Sequence, residues 1–82
     1  MADDAKIRER IGELEAQQRT LREQLEKGEI TSAQERERLH EIEVEVDRSW
    51  DLLRRRDAAR SAGKDPDEVE PRSQSTVENY LE

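Results

Sequence analysis

The chain has no cysteine and no phenylalanine. Without cysteine there is no disulfide, no thiolate nucleophile and no thiolate zinc site. Its three glycines, Gly12, Gly28 and Gly63, stand apart and form no phosphate-cradling loop. No apolar run approaches the length of a membrane-spanning helix, and no signal-peptide apolar core is present. A cytoplasmic protein with no membrane partner is therefore expected. Ile, Leu, Val and Phe together make up less than a fifth of the sequence, which borders on the composition of disordered chains. With 82 residues, one Trp and one Tyr, at most one small core is available. Such chains often depend on a second copy or a partner.

Charge is abundant: 45% of residues are Asp, Glu, Lys or Arg, with a net charge of -7. That balance argues against non-specific nucleic-acid binding, which needs clustered positive charge. What organises the chain is the order of its few apolar residues, which recur with helical period.

The stretch Leu25 to Glu35 reads as the corner of a helical hairpin. Gly28 can close one helix in the left-handed conformation. Thr31 and Gln34 make a capping box for the next. With Gly28, Glu29 and Ile30 alone between stop and start, the helices must be antiparallel neighbours. Ile30 is expected to plug this end over Leu25 and Leu39. The corner could alternatively serve as a binding finger.

Helix 1 is expected over about 4–27, capped by Asp3 or Asp4. Its seam is Ile7, Ile11, Leu14, Gln18, Leu21 and Leu25, in heptad spacing. Gln18 either fixes register or reaches out to the seam's edge. The turn covers 28–31 and helix 2 about 32–62, with a seam of Glu35, Leu39, Ile42, Val46, Ser49, Leu53 and Arg56. Pairing about the corner sets Leu21 by Leu39, Leu14 by Val46, Ile11 by Ser49 and Trp50, and Ile7 by Leu53. Trp50 is expected to fill the space above Ile11. The fold class is all-α: an antiparallel two-helix coiled-coil hairpin with a short C-terminal tail helix.

Helix 2 carries more apolar residues than one seam uses. Trp50 and Leu52 flank the seam on opposite sides, and Val44 lies near the outer face. Surplus apolar surface of this kind calls for a cover. The candidates are a second copy giving a dimeric four-helix bundle, the C-terminal tail, or a foreign protein. Acids fill the first half of helix 2, and Arg54, Arg55, Arg56 and Arg60 fill its last turns. The helix dipole accounts for this gradient. A functional reading of the arginines is contact with nucleic acid or with the transcription or translation machinery.

The tail, 63–82, is expected to be part helical or disordered. Gly63 stops helix 2, Asp65-Pro66-Asp67-Glu68 can form one helical turn, and Pro71 breaks the chain again. Ser75 to Glu78 repeats a capping-box pattern, and Val77, Tyr80 and Leu81 share one face of a short helix. Alone, that segment cannot hold a helix in water. It either folds back, its acids along Arg54, Arg55 and Arg60 and its Tyr80 and Leu81 over Trp50 or Leu52, or it presents a peptide motif to another protein.

Little here suggests catalysis. Glu37 and His40 have the Glu-x-x-His spacing of di-iron bundles, but the register turns both outward. Ser49 has no histidine within a helical turn. A hairpin also offers little concave surface. No enzyme activity, cofactor, metal or small-molecule substrate is expected.

The block Trp50-Asp51-Leu52-Leu53-Arg54, the segment Gly63-Lys64-Asp65-Pro66-Asp67-Glu68, the ending Val77-Glu78-Asn79-Tyr80-Leu81 and the corner Gly28-Glu29-Ile30-Thr31 together resemble a family of small actinobacterial proteins classed as a domain of unknown function. The likeness covers nearly the whole chain; Ser32 departs from relatives with Pro after the cap. It implies a bacterial, cytoplasmic protein and brings no activity or site residues. The expected role is a non-enzymatic interaction or adaptor module, homodimeric or bound to another protein. Its candidate contacts are Val44, Trp50, Leu52, Arg54, Arg55, Arg56, Arg60, Val77, Tyr80 and Leu81.

Overall fold

The computed structural model describes residues 3–71. Val77, Tyr80 and Leu81 lie outside the described residues. Two helices, α1 (Asp4–Glu26) and α2 (Ser32–Ser61), form an antiparallel hairpin. A single turn of 3₁₀ helix, Pro66–Glu68, follows; residues 65–70, which contain it, are called the strap below.

The helix ends are set by local chemistry. The Asp3 carboxylate accepts from the Lys6 N–H at 2.8 Å and starts α1. Thr31 and Gln34 satisfy each other reciprocally at the start of α2: the Gln34 N–H donates to Thr31 Oγ1 at 3.1 Å, and the Thr31 N–H donates to Gln34 Oε1 at 2.9 Å. Both helices finish in the same way. Gly28 and Gly63 take positive φ, 74° and 73°. Beyond Gly28, the Glu29 N–H reaches back to the Gln24 carbonyl. Beyond Gly63, the Lys64 N–H reaches back to the Ala59 carbonyl. These are Schellman closures, which need a residue without a Cβ at the left-handed position.

A Cβ built on Gly28 would meet nothing within 4 Å, so substitution there tests conformation alone. Gly28→Ala should destabilise the hairpin by about 1–2 kcal/mol, lowering the melting temperature by about 5–10 °C with no loss of helix at low temperature. A circular-dichroism melt measures this.

Two apolar clusters lie along the seam. Near the corner, Leu14, Leu21 and Ile42 are buried, with Ile30, Leu39 and Val46 packed against them. Toward the open end, Ile7, Ile11, Leu52 and Leu53 are buried, with Val69 of the strap packed on them. Ile30 thus closes the corner end, and Ile7 meets Leu53 as the register requires. Gln18, in the seam between the clusters, is half-buried.

The surplus apolar residues are placed differently from expectation. Trp50 does not fill the space above Ile11. It is 42% exposed, the one large apolar side chain so exposed among the described residues. Leu52 and Leu53 occupy that space instead. Leu52 is accordingly not an open flank: α1 lies on one side of it and Val69 on the other. Val44 is not open to solvent either, being only 1% exposed. It stands about 160° round the helix from Ile42 and Val46 and belongs to neither cluster.

Candidate functional site: the open end of the hairpin

Of the residues singled out from the sequence, Leu52, Arg55, Arg56 and Arg60 meet at the end of the hairpin opposite Gly28. Arg56 organises it. Its seam position carries it inward, so that it is only 5% exposed. A buried guanidinium requires acceptors for its fixed fork of N–H groups, and two distant parts of the chain, the start of α1 and the strap, supply them. Nε donates to Asp4 Oδ1 at 2.8 Å; Nη1 donates to the Pro66 carbonyl at 2.9 Å and to Asp67 Oδ1 at 3.1 Å. Arg60, one turn on, donates to the other Asp4 oxygen and lies 3.6 Å from Asp57. One carboxylate in the first turn of α1 is thus gripped by two guanidinium groups from the last turns of α2.

The charge states follow from these bonds. The hydrogen bond from Arg56, then that from Arg60, holds the Asp4 carboxyl below its usual 3.8, against the opposing effect of burial. The same bond to Asp4 raises Arg56, with Asp67 adding to it. Farther along the seam's edge, Arg10 donates to Glu45 at 2.8 Å and to Glu13 at 3.1 Å, and its pKa is raised, chiefly by Glu45.

Arg55 donates to the Glu70 carbonyl and lies 3.8 Å from Asp51. The anticipated fold-back of the tail's acids onto the arginines is therefore present in the strap, but its centre is Arg56, paired with Asp67. Three of the four clustered arginines are engaged within the chain. Arg54 is exposed and has no ion pair with the described residues. A phosphate backbone would have to compete with Asp4, Asp57 and Asp67 for the others.

The remaining chemistry is sparse. Glu37 and His40 are both exposed. The Ser49 hydroxyl donates to the Glu45 carbonyl at 2.9 Å, a bond within the helix. An open groove of about 490 Å³ near the corner is lined in part by Leu21, Ile30, Gln34 and Arg38, with no nucleophile beside a base. Among the described residues no group of three or more metal-ligating side chains is gathered, and no helix is long and apolar enough to cross a membrane.

Sequence reasoning missed the clasp at Arg56. The signal available was an arginine in a seam of apolar residues, which requires a buried acceptor. Asp4 was instead assigned to capping.

The chain is 42% identical over 77 residues to an uncharacterized protein of Mycobacterium bovis, Mb0922c, covering 94% of this chain and 88% of the relative. The uncharacterized proteins MT0921.1 and Rv0898c of Mycobacterium tuberculosis match to the same extent. No solved structure shows significant similarity. The sequence profile of one family spans residues 3–82, and the chain belongs to that family, the proteins of unknown function designated DUF2630.

Proposed function

We propose that this protein is a non-enzymatic, cytoplasmic protein-interaction module that presents the Trp50 flank of α2. The observation that carries this is the exposure of Trp50 in a chain otherwise poor in aromatic residues. A large aromatic side chain left 42% open on a rigid helix has the character of an interface anchor. Exposed Arg54 and Asp57 lie one and two turns on, a polar rim on the same side of the helix. The occupant we favour is a second copy, two hairpins pairing about their Trp50 flanks into a four-helix bundle. Its support is the small core, with eight apolar side chains buried among the described residues, which a second hairpin would enlarge. The alternative, a nucleic-acid or ribosome-type contact through the arginines, has less support because Arg55, Arg56 and Arg60 are engaged internally.

Sedimentation equilibrium tests this. The unsubstituted chain should associate reversibly, and Trp50→Glu should weaken association by about 2 kcal/mol or more, about thirtyfold in Kd, without loss of helix. A photo-crosslinker at position 50 in the native host extends the test to other proteins. A strictly monomeric chain that also gives no adduct from position 50 would end the proposal.

A further inference from the structure

The strap is anchored deeply at one point and lightly around it. Its Asp65, Asp67, Glu68 and Glu70 are exposed, and only Pro66 and Val69 are half-buried. Its turn is closed within itself: the Glu68 N–H donates to the Asp65 carbonyl and the Val69 N–H to the Pro66 carbonyl, both at 3.1 Å. An open groove of about 420 Å³ remains between the strap and α2, lined in part by Arg55, Ala59 and Val69. Yet the strap sits on Arg56, which is only 5% exposed.

The contacts that seat the strap are of the kind by which a protein reads a peptide. Arg56 Nη1 donates to the Pro66 carbonyl and to the Asp67 carboxylate. Two residues on, Val69 packs against the cluster of Ile7, Ile11, Leu52 and Leu53. One residue further, the Glu70 carbonyl accepts from Arg55. Main-chain carbonyls supply attachment; one carboxylate and one aliphatic side chain supply selectivity. The receiving groups all stand on the two helices, so they keep their spacing when the strap is away. Arg56 then keeps Asp4 at Nε but loses both acceptors from Nη1, and Leu52 loses Val69. A guanidinium edge short of acceptors beside an apolar seat favours an incoming carboxylate.

We infer that the strap is a displaceable, autoinhibitory cover on a peptide groove at the open end of the hairpin. The ligand is a segment of another protein with the strap's own chemistry: an acidic peptide carrying an aliphatic residue two positions after an aspartate. Tethering sets the strength of the inhibition. A segment joined so closely to its site has an effective concentration in the millimolar range, and an outside ligand has to overcome it. The inference does not rest on the Trp50 reading: Trp50 lies about 160° round α2 from Leu52.

The test uses the full chain in two forms, unsubstituted and with Asp67→Ala and Val69→Ala, which empties the groove and leaves Arg55, Arg56 and Leu52 in place. The probe is a blocked synthetic peptide with the sequence of residues 64–71, titrated by NMR on the Leu52 methyls and the Arg56 Nε–H. The substituted chain, with helix content unchanged, should bind it with a Kd of about 1 mM or below. The unsubstituted chain should bind it at least about tenfold more weakly. A Gly-Ser peptide retaining only the Pro-Asp-x-Val core should bind the substituted chain within about tenfold of the full probe, and a probe carrying Asp67→Ala and Val69→Ala should not bind. In the unsubstituted chain, the Val69 amide should exchange at least about tenfold faster than that of Ile42. The proposal is overturned by no binding to the substituted chain at about 10 mM peptide, by equal affinity for both chains, by failure of the Gly-Ser peptide, or by strap amides that exchange as slowly as those of α2. Strap protection that is lost on dilution assigns the groove to the strap of a second copy and overturns it equally.

Discussion

Leu14→Ala should cost about 2–5 kcal/mol of stability. In a domain of this size that lowers the melting temperature by about 10–30 °C. Leu14 is one of the two largest fully buried side chains, and it belongs to a cluster whose other buried members are Leu21 and Ile42. Truncation removes the whole branched end of the side chain from a layer two helices thick. Little can move in to fill the gap, because the residues around the cluster are already half-buried Ile30, Leu39 and Val46. Typical domains have only about 5–15 kcal/mol in total. The variant should therefore sit near its midpoint at moderate temperature, seen by circular dichroism as a broad, early transition. A loss of less than about 1 kcal/mol would mean that the helices are held mainly by something other than this seam.

Removing Arg56 should be the most damaging change among the charged residues. Arg56→Ala deletes a guanidinium that joins Asp4, Pro66 and Asp67. It should release the strap, exposing Leu52, and its loss in melting temperature should exceed that of Arg54→Ala severalfold. Hydrogen exchange would show amides of the strap losing protection first. Asp4→Asn separates electrostatics from packing. The Asp4 carboxyl is held below its ordinary 3.8 in the folded chain. A depressed folded pKa contributes stability that is present above the unfolded value and is lost as pH falls through the folded one. The melting-temperature gap between the unsubstituted chain and Asp4→Asn should therefore be constant from neutral pH down to about 4.5 and close below the ordinary pKa. A gap that is unchanged at a pH of about 2 would show that the Asp4 charge is not what grips Arg56 and Arg60.

The hairpin itself was legible because each of its determinants is local. Gly28, Thr31 and Gln34 lie close together at the corner, and the seam positions repeat at helical spacing. Once the corner is placed, the register of Ile7 with Leu53 follows. The open end was not legible for the opposite reason. Arg56 meets Asp4 across 52 residues of sequence and Asp67 across 11, and no periodicity encodes a carboxylate so far away. Arg56 instead read as part of a cationic helix end, which the dipole alone explains. Val44 lies opposite the seam on a helical wheel and so read as open, yet it is only 1% exposed. Trp50 and Leu52 flank the seam symmetrically on a helical wheel. Only the return path of the strap decides which of the two is covered.

The Arg56 clasp has a consequence for how the molecule is made. Synthesis delivers the corner and both seams in order, so α2 can close onto α1 outward from Gly28 as it emerges, through short loops with small closure entropy. Asp4 must wait for the residues that bind it. Its two partners lie 52 and 56 residues later, and Asp67, which shares Arg56, comes later still. The locked form therefore exists only once the chain has been made as far as the strap. A truncated product ending before Leu52 retains the corner and much of the seam but has an open, uncovered end around Ile7 and Ile11, the apolar exposure by which cellular proteases distinguish unfinished chains from finished ones.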